Sequence, residues 1–191
     1  MKTSKKVLAT SVAAGGFAAL VVSAVVPFTK DWEGMDLVAH RDTVGTGHPL
    51  TYCFGQTAEF GRVKVGEHFT PAQCDAKLRQ SLPLYLKPLQ ACIKRNVPVK
   101  VMAAALDAAY NAGSSAVCKS PMVAHINAGS LTAACAAFNG WYIHASGRVV
   151  QGLINRREAE KNLCLEGVEE GLPHAMPWWQ RWARTILFRN T

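Results

Sequence analysis

The chain has 191 residues and a net charge of +8, with 49% apolar and 18% charged residues. That composition suits one ordinary domain with a sizeable core plus an additional segment, and it excludes wholesale disorder. The positive excess fits a polyanionic target such as anionic lipid, an anionic wall polymer or nucleic acid. No basic run interleaved with aromatics and no zinc-ligand spacing occurs, which argues against nucleic acid and against a metal centre.

Lys2, Lys5 and Lys6 precede an uncharged run from Val7 to Phe28, and Lys30 follows it. At 1.5 Å per residue the run is long enough to cross a hydrocarbon core of about 30 Å. The preceding lysines would keep the N-terminus in the cytoplasm and send the rest of the chain outward. Ala, Gly, Ser and Thr fill half of the run, a weak composition for a permanent anchor. Val22-Ser23-Ala24 is a passable cleavage site, so a removable signal peptide is the rival reading. Against it, the apolar run outlasts an ordinary signal core and continues to Phe28.

Beyond Lys30, the Gly-rich stretch from Arg41 to Gly66 carries β-branched and aromatic residues and predicts a small β-hairpin lobe. Thr70-Pro71 opens a helix, with Thr70 and Gln73 spaced as a capping box and proline at the first helical position. Leu78, Leu82, Tyr85 and Leu89 give that helix its apolar face, and Pro83 and Pro88 are expected to bend or divide it. Val99 to Ala112 predicts a second helix, with Met102, Leu106 and Tyr110 along one stripe and Gly113 as its stop. Shorter helices are expected over Pro121 to Asn127 and Leu131 to Phe138, and a last one over Asn155 to Leu165. A small β lobe followed by helices is an α+β plan.

Cys53, Cys74, Cys92, Cys118, Cys135 and Cys164 all follow the apolar run, and none forms a CxxC pair. The even count and wide spacing point to three disulfides made in an oxidising compartment, with buried thiols of a cytosolic protein as the alternative. Spacing alone leaves 15 pairings open.

Two acids near the start of the domain, Glu33 and Asp42, fit glycoside hydrolysis, in which one carboxyl protonates the leaving oxygen and a second group acts from the opposite side. A helix followed by a hairpin would set them on different elements across a cleft. The surrounding words are more specific: EGMDLVAHRD (Glu33 to Asp42), TYCFG (Thr51 to Gly55), ALDAAYNAG (Ala105 to Gly113), HINAGSLTAACAAFNGW (His125 to Trp141) and GRVVQGLINRREAEKNLCL (Gly147 to Leu165). In this order they resemble the phage lysozyme (endolysin) family. With the weakly apolar N-terminal run, the chain resembles its signal-anchor-release branch, whose members are exported as tethered precursors.

The resemblance implies a lysozyme-like α+β fold, with a small N-terminal β-hairpin lobe, a larger helical lobe and the active-site cleft between them. It implies a muramidase cutting the β-1,4 bond between N-acetylmuramic acid and N-acetylglucosamine of peptidoglycan at host lysis. Glu33 would be the general acid, Asp42 would position or activate water, and Thr51 would hold that water. The family commonly places five residues between the aspartate and the threonine, whereas eight lie between Asp42 and Thr51 here. His48 occupies the strict-spacing position. TYCFG anchors the comparison at Thr51, so Gly47-His48-Pro49 reads as part of a turn insertion, with His48 as a loop residue or a substitute water ligand. The family layout pairs Cys53 with Cys74 and Cys135 with Cys164, which leaves Cys92 with Cys118.

Tyr110 and Asn111 are candidates to line the cleft, and core packing or capping would explain them as well. Arg156 and Arg157 match the family's RRE pattern, and salt bridges to acids of the N-terminal helix or loops are their expected role. Asp36, one helical turn beyond Glu33, reads as a surface charge. The expected organisation is a signal-anchor-release segment over 1–28, a lysozyme-like catalytic domain over 29–170 and a Trp/Arg-rich tail over 171–191. A helix after Pro177 would place Trp178, Trp179, Trp182 and Ile186 opposite Arg181 and Arg184. That pattern suits a membrane interface or packing on the domain.

The expected partners are peptidoglycan and the bacterial inner membrane, met through residues 1–28 and with the tail as a second candidate. No cofactor, no metal and no nucleic acid is expected, and the chain is expected to be a monomer. The expected location is the periplasmic face of the inner membrane, followed by release to the periplasm. Competing functions are a lytic transglycosylase, which could dispense with Asp42 and water, and a non-catalytic wall-binding protein, which would not need the two carboxylates. A secreted inhibitor-like disulfide protein would not need the ordered motifs.

Overall fold

The structure is a computed structural model that describes residues 4–42, 49–57 and 61–171, with side chains from residue 16 onward. The expectations for His48 and for the tail after Gly171 lie outside the described residues. In chain order the elements are α1 (Ser4–Glu33), β1 (Asp36–Arg41), β2 (Leu50–Cys53), β3 (Gln56–Thr57), α2 (Pro71–Cys92) and α3 (Val99–Ala112). They continue with α4 (Ser114–Cys118), α5 (Pro121–Ala128), α6 (Leu131–Ala136), β4 (His144–Ala145), β5 (Arg148–Val149) and α7 (Gln151–Glu170). A small antiparallel sheet inserted between α1 and a helical body is the α+β plan expected.

α3 is the axis of that body. Every residue from Val101 to Ala109 is buried, more than the single apolar stripe expected, because α1, α2, α4 and α7 all pack against it. A helix apolar on all sides is a core helix. The approach of α7 is tight: a Cβ on Gly167 would stand 2.8 Å from the Val101 backbone nitrogen and 2.9 Å from Lys100 Cβ.

α1 crosses residue 28 without a break and ends at Glu33. Val21, Val25, Val26 and Thr29 are buried, spaced as one helical stripe that packs toward α3. In this conformation the second half of the apolar run is therefore part of the domain's core. Each buried valine is worth roughly 1.5–3 kcal/mol relative to exposure. Among the described residues no helix is long and apolar enough to cross a membrane; the side chains before Gly16 are not among them.

α2 starts as expected, with the reciprocal Thr70–Gln73 capping box and Pro71 in its first turn. It is not divided: Pro83 and Pro88 both lie inside it. Both prolines are exposed, as are Arg79 and Leu84, whose carbonyls lose their i+4 donors. The solvent side can hydrate those carbonyls while Cys74, Leu78, Leu82, Leu86 and Leu89 keep the buried side continuous. Gly113, at φ 86°, ends α3. α7 extends four residues earlier and five later than the Asn155–Leu165 core seen in sequence.

The sheet of the small lobe runs in the order β1-β2-β3, and β1 has neighbours on both sides. On one edge it pairs with β2 in the register His40↔Thr51 and Arg41↔Leu50, with an irregularity between Asp36 and His40. On the other edge it bonds residues 66–69, through Ala39 N to Glu67 O at 2.9 Å and Phe69 N to Leu37 O at 2.8 Å. Three disulfides fasten the elements. Cys53–Cys74 ties the sheet to α2, Cys92–Cys118 ties α2 to α4, and Cys135–Cys164 ties α6 to α7. Closing loops of this length contributes about 3 kcal/mol per bridge in the chain-entropy model.

Gly167→Ala tests the α3–α7 approach. Alanine gains roughly 1 kcal/mol of helix propensity, but overpacking costs about 1–3 kcal/mol, and the nearest obstacle is backbone that cannot rotate away. The expected result is a lower thermal unfolding midpoint; a raised midpoint would mean the helices are not this close.

Candidate active site

Glu33 sits on the last turn of α1, which stops there because Gly34 takes φ 67°, a conformation that ends helices. Asp36, expected one helical turn further on, opens β1 instead and is exposed. The Glu33 side chain is only 19% exposed. Its Oε1 forms an ion pair with Arg156 Nη1 at 2.6 Å. On the other side, a Cβ on Gly55 would lie 3.5 Å from Oε2. The turn of the TYCFG motif thus faces the carboxyl, and a glycine there leaves the approach open. Burial pushes the Glu33 carboxyl above its ordinary range, and the charge of Arg156 pulls the other way. Burial wins, so the group retains its proton to higher pH than a surface glutamate.

Arg156, on α7, does more than meet Glu33. Its Nε and Nη2 donate to Asp107 Oδ2 and Oδ1 at 2.9 and 3.1 Å. Asp107, fully buried on α3, also accepts from Thr29 Oγ1 of α1 at 2.7 Å. The next residue, Arg157, donates from Nη2 to Glu160 Oε1 at 2.7 Å and to Asn111 Oδ1 at 3.0 Å, and it lies over the Trp141 ring. The salt bridge expected to the N-terminal helix is therefore present at Arg156.

Asp42 continues the β1–β2 pairing by one step, its backbone N donating to Pro49 O at 2.9 Å. Thr51 stands opposite both His40 on β1 and Thr57 on β3. Cross-strand partners share a face and side chains alternate, so Thr51, His40 and Asp42 share one face of the sheet. Asp42 and Thr51 are then diagonal neighbours, a relation of about 7–8 Å that leaves room for a small bridging group. Both are half-buried.

Tyr110 joins the lobes. Its hydroxyl donates to Phe54 O at 2.5 Å and accepts from Gln56 Nε2 at 2.9 Å, and Gln56 Oε1 in turn takes Phe54 N–H at 2.9 Å. Burial, followed by the nearby Glu33 charge, raises its phenol well above the ordinary tyrosine range. Asn111, half-buried, accepts from Arg157 through its Oδ1.

Asp107, Thr29, Glu160 and Gln56 were not picked out from sequence as parts of the site. One signal was available for Asp107. It is the only acid between Asp75 and Arg157, set in an apolar helix, where a charge needs a buried partner.

A two-lobed α+β body with a buried, proton-retaining glutamate at the exit of its first helix, beside a short antiparallel sheet, defines a lysozyme-like enzyme. The phage lysozyme family model matches residues 30–160, and the chain belongs to that family. It is 29% identical over 164 residues to a SAR-endolysin of Enterobacteria phage P21, covering 85% of this chain and 96% of that protein. It is 33% identical to a SAR-endolysin of Pseudomonas phage phiKMV, over 70% of this chain and 81% of the other. In structure it resembles the muramidase domain of SpmX from Asticaccaulis excentricus, with a TM-score of 0.65 at 26% identity, covering 74% of this chain and 95% of that domain.

Tyr110→Phe separates a strap between the lobes from a substrate contact. Removing the hydroxyl leaves Phe54 O and Gln56 Nε2 short of a partner, which costs about 1–3 kcal/mol. Urea unfolding should show that loss; unchanged stability with a raised KM would instead make Tyr110 a substrate contact.

Proposed function

We propose that the protein is a phage endolysin acting as a muramidase, hydrolysing the β-1,4 bond between N-acetylmuramic acid and N-acetylglucosamine of peptidoglycan. The observation that carries this reading is Glu33, held against Arg156 with its carboxyl raised by burial, as a proton donor to the leaving sugar oxygen must be. Asp42 and Thr51 act from the sheet: Asp42 accepts the proton of the attacking water, and Thr51 orients that water across the diagonal gap. Attack by water on the face opposite the acid inverts the anomeric centre. No cofactor takes part.

The chain is exported with residues 1–28 as a signal-anchor-release segment, tethered at the periplasmic face of the inner membrane and then released. The names of its relatives support this, as does the packing of α1. Val21, Val25 and Val26 find apolar surroundings in a bilayer or in the core, so moving between them exchanges one burial for another. While the segment spans the bilayer, Thr29 and Glu33 cannot reach Asp107 and Arg156, and the precursor stays silent. Residues 29–170 form the catalytic domain, completed after release by the buried valines of α1, and residues 171–191 are a further region with affinity for the membrane interface.

Glu33→Gln should lower peptidoglycan cleavage at least about 100-fold with folding intact; retention of more than roughly a tenth of the activity would remove Glu33 from the role. Product analysis should find a hydrated reducing end, and a 1,6-anhydro sugar would make the enzyme a lytic transglycosylase. Thr51→Ala should cost more activity than His48→Ala, the reverse order placing the water on His48. Replacing Gly15, Gly16, Ala18 and Ala19 by leucine should hold the exported protein on the membrane without lysis. A periplasmic protein whose N-terminus is Val25 would mean an ordinary cleaved signal peptide.

A further inference from the structure

Charge is unevenly divided along the chain. Between Asp75 and Arg156 there is one acid, Asp107, and it is fully buried. Surface cations of that stretch must find their carboxylates elsewhere. Lys100 does so, with Glu166 and Glu170 of α7, while Lys77 lies over the rings of Tyr52 and Phe69. Lys87, Lys94, Arg95 and Lys119 are all exposed, and none of them forms an ion pair with a described residue. The fold gathers these four at one end of the helical body. The Cys92–Cys118 bridge brings the end of α2 to 5.8 Å from the end of α4, Cα to Cα, and Lys119 follows Cys118 directly. Asn127 of α5 closes the group, accepting from Lys94 N at 2.7 Å and donating to Cys92 O at 2.9 Å. Arg95 lies against Gly129, where an added Cβ would meet its Nη1 at 3.1 Å. The Cys118 sulfur is 3.7 Å from the carbonyl of Pro88, the neighbour of Lys87. Lys94 also caps α2 through the Ala91 carbonyl; the other three have no such structural duty. On the same exposed face of α2, one turn before Lys87 and Pro88, stands Leu84, 60% exposed, with Ala91 exposed a turn beyond them.

We propose that this end of the helical body docks on a bilayer surface rich in anionic phospholipid, with Lys87, Lys94, Arg95 and Lys119 meeting headgroup phosphates and Leu84 entering the interface. Cations without counter-charges attract a polyanion, and each one near an anionic bilayer changes binding about fivefold. Charge alone fits an anionic wall polymer as well, and Leu84 decides between the two. A hydrated glycan offers a leucine little burial, whereas the boundary between headgroups and acyl chains takes it out of water. The contact is separate from residues 1–28 and from the tail. The small lobe is fastened to α2 at Cys74, about 25 Å along the helix from Ala91 at 1.5 Å per residue. Docking through the patch therefore holds the released enzyme at the membrane with its small lobe clear of the bilayer.

The test is cosedimentation of the full chain, in its soluble form, with vesicles of phosphatidylcholine alone and of phosphatidylcholine mixed equally with phosphatidylglycerol. Residues 1–28 and the tail are common to every variant, so differences between variants report the patch. Lys87→Gln/Lys119→Gln should bind the mixed vesicles about 30-fold more weakly than the wild type, and added salt should narrow that difference. Leu84→Ser, with charge unchanged, should weaken the same binding about tenfold. Arg62→Gln/Lys64→Gln removes equal charge from exposed positions of the small lobe and should bind as the wild type does. Cleavage of purified peptidoglycan should be unaltered in the patch variants. An equal loss in Arg62→Gln/Lys64→Gln would reduce the effect to net charge and overturn the site. Wild-type vesicle binding by Leu84→Ser, or a patch variant that loses affinity for purified peptidoglycan instead of for vesicles, would overturn the lipid as partner. If Glu33→Gln stays active, the muramidase reading falls and this contact stands, since the vesicle measurement involves no catalysis.

Discussion

A guanidinium that is 5% exposed must be matched by carboxylates, because removing a charge from water costs several kcal/mol unless partners replace the solvent. Arg156 finds those partners on two other helices. Asp107 of α3 takes it side-on through two hydrogen bonds, and Glu33 of α1 meets its remaining edge. Asp107 depends on α1 as well, since Thr29 completes its Oδ1. Completing the partners of that buried charge on α7 therefore draws on α1, and seating α1 delivers Glu33, the proposed acid. Assembly of the fold and assembly of the site are the same event.

That arrangement explains why one helix can carry both an apolar run and the proposed acid, Glu33. The valines of α1 are indifferent to whether bilayer or protein surrounds them, whereas Thr29 and Glu33 are satisfied only against α3 and α7. In the proposed tethered form the apolar half of the helix is accommodated and the polar end is not, so Arg156 and Asp107 keep each other but lack Glu33 and Thr29. Lys30, paired with Asp75 of α2 at 2.7 Å, adds a partly exposed tie of modest worth. The disulfides join the sheet to α2 and the helices of the body to one another, and none reaches α1. Covalent staples therefore hold the domain together without fixing its first helix.

Much of this was legible in the sequence wherever local chemistry decides. The Thr70–Gln73 box, Pro71 and Gly113 mark helix ends because capping and left-handed backbone are local demands. The motif words carried Glu33, Asp42 and the TYCFG turn to their elements. What was not legible was tertiary. Hydropathy divides the chain at Phe28, but a helix does not end where hydropathy changes, and α1 runs on to Glu33. Pro83 and Pro88 read as breaks because the sequence does not reveal that both face solvent. Asp107 went unremarked because its partners are 49 and 78 residues away.

Arg156 couples the seating of α1 to the candidate site, and the variant Arg156→Met tests that coupling most directly, keeping the bulk of the side chain while removing its charge. Urea unfolding and peptidoglycan cleavage measured on the same preparation should both respond. Stability should fall by about 3–5 kcal/mol, as when one partner of a buried pair is removed, and cleavage should fall by at least about 100-fold as Glu33 loses its support. A variant with wild-type stability and cleavage within tenfold of the parent would contradict the coupling.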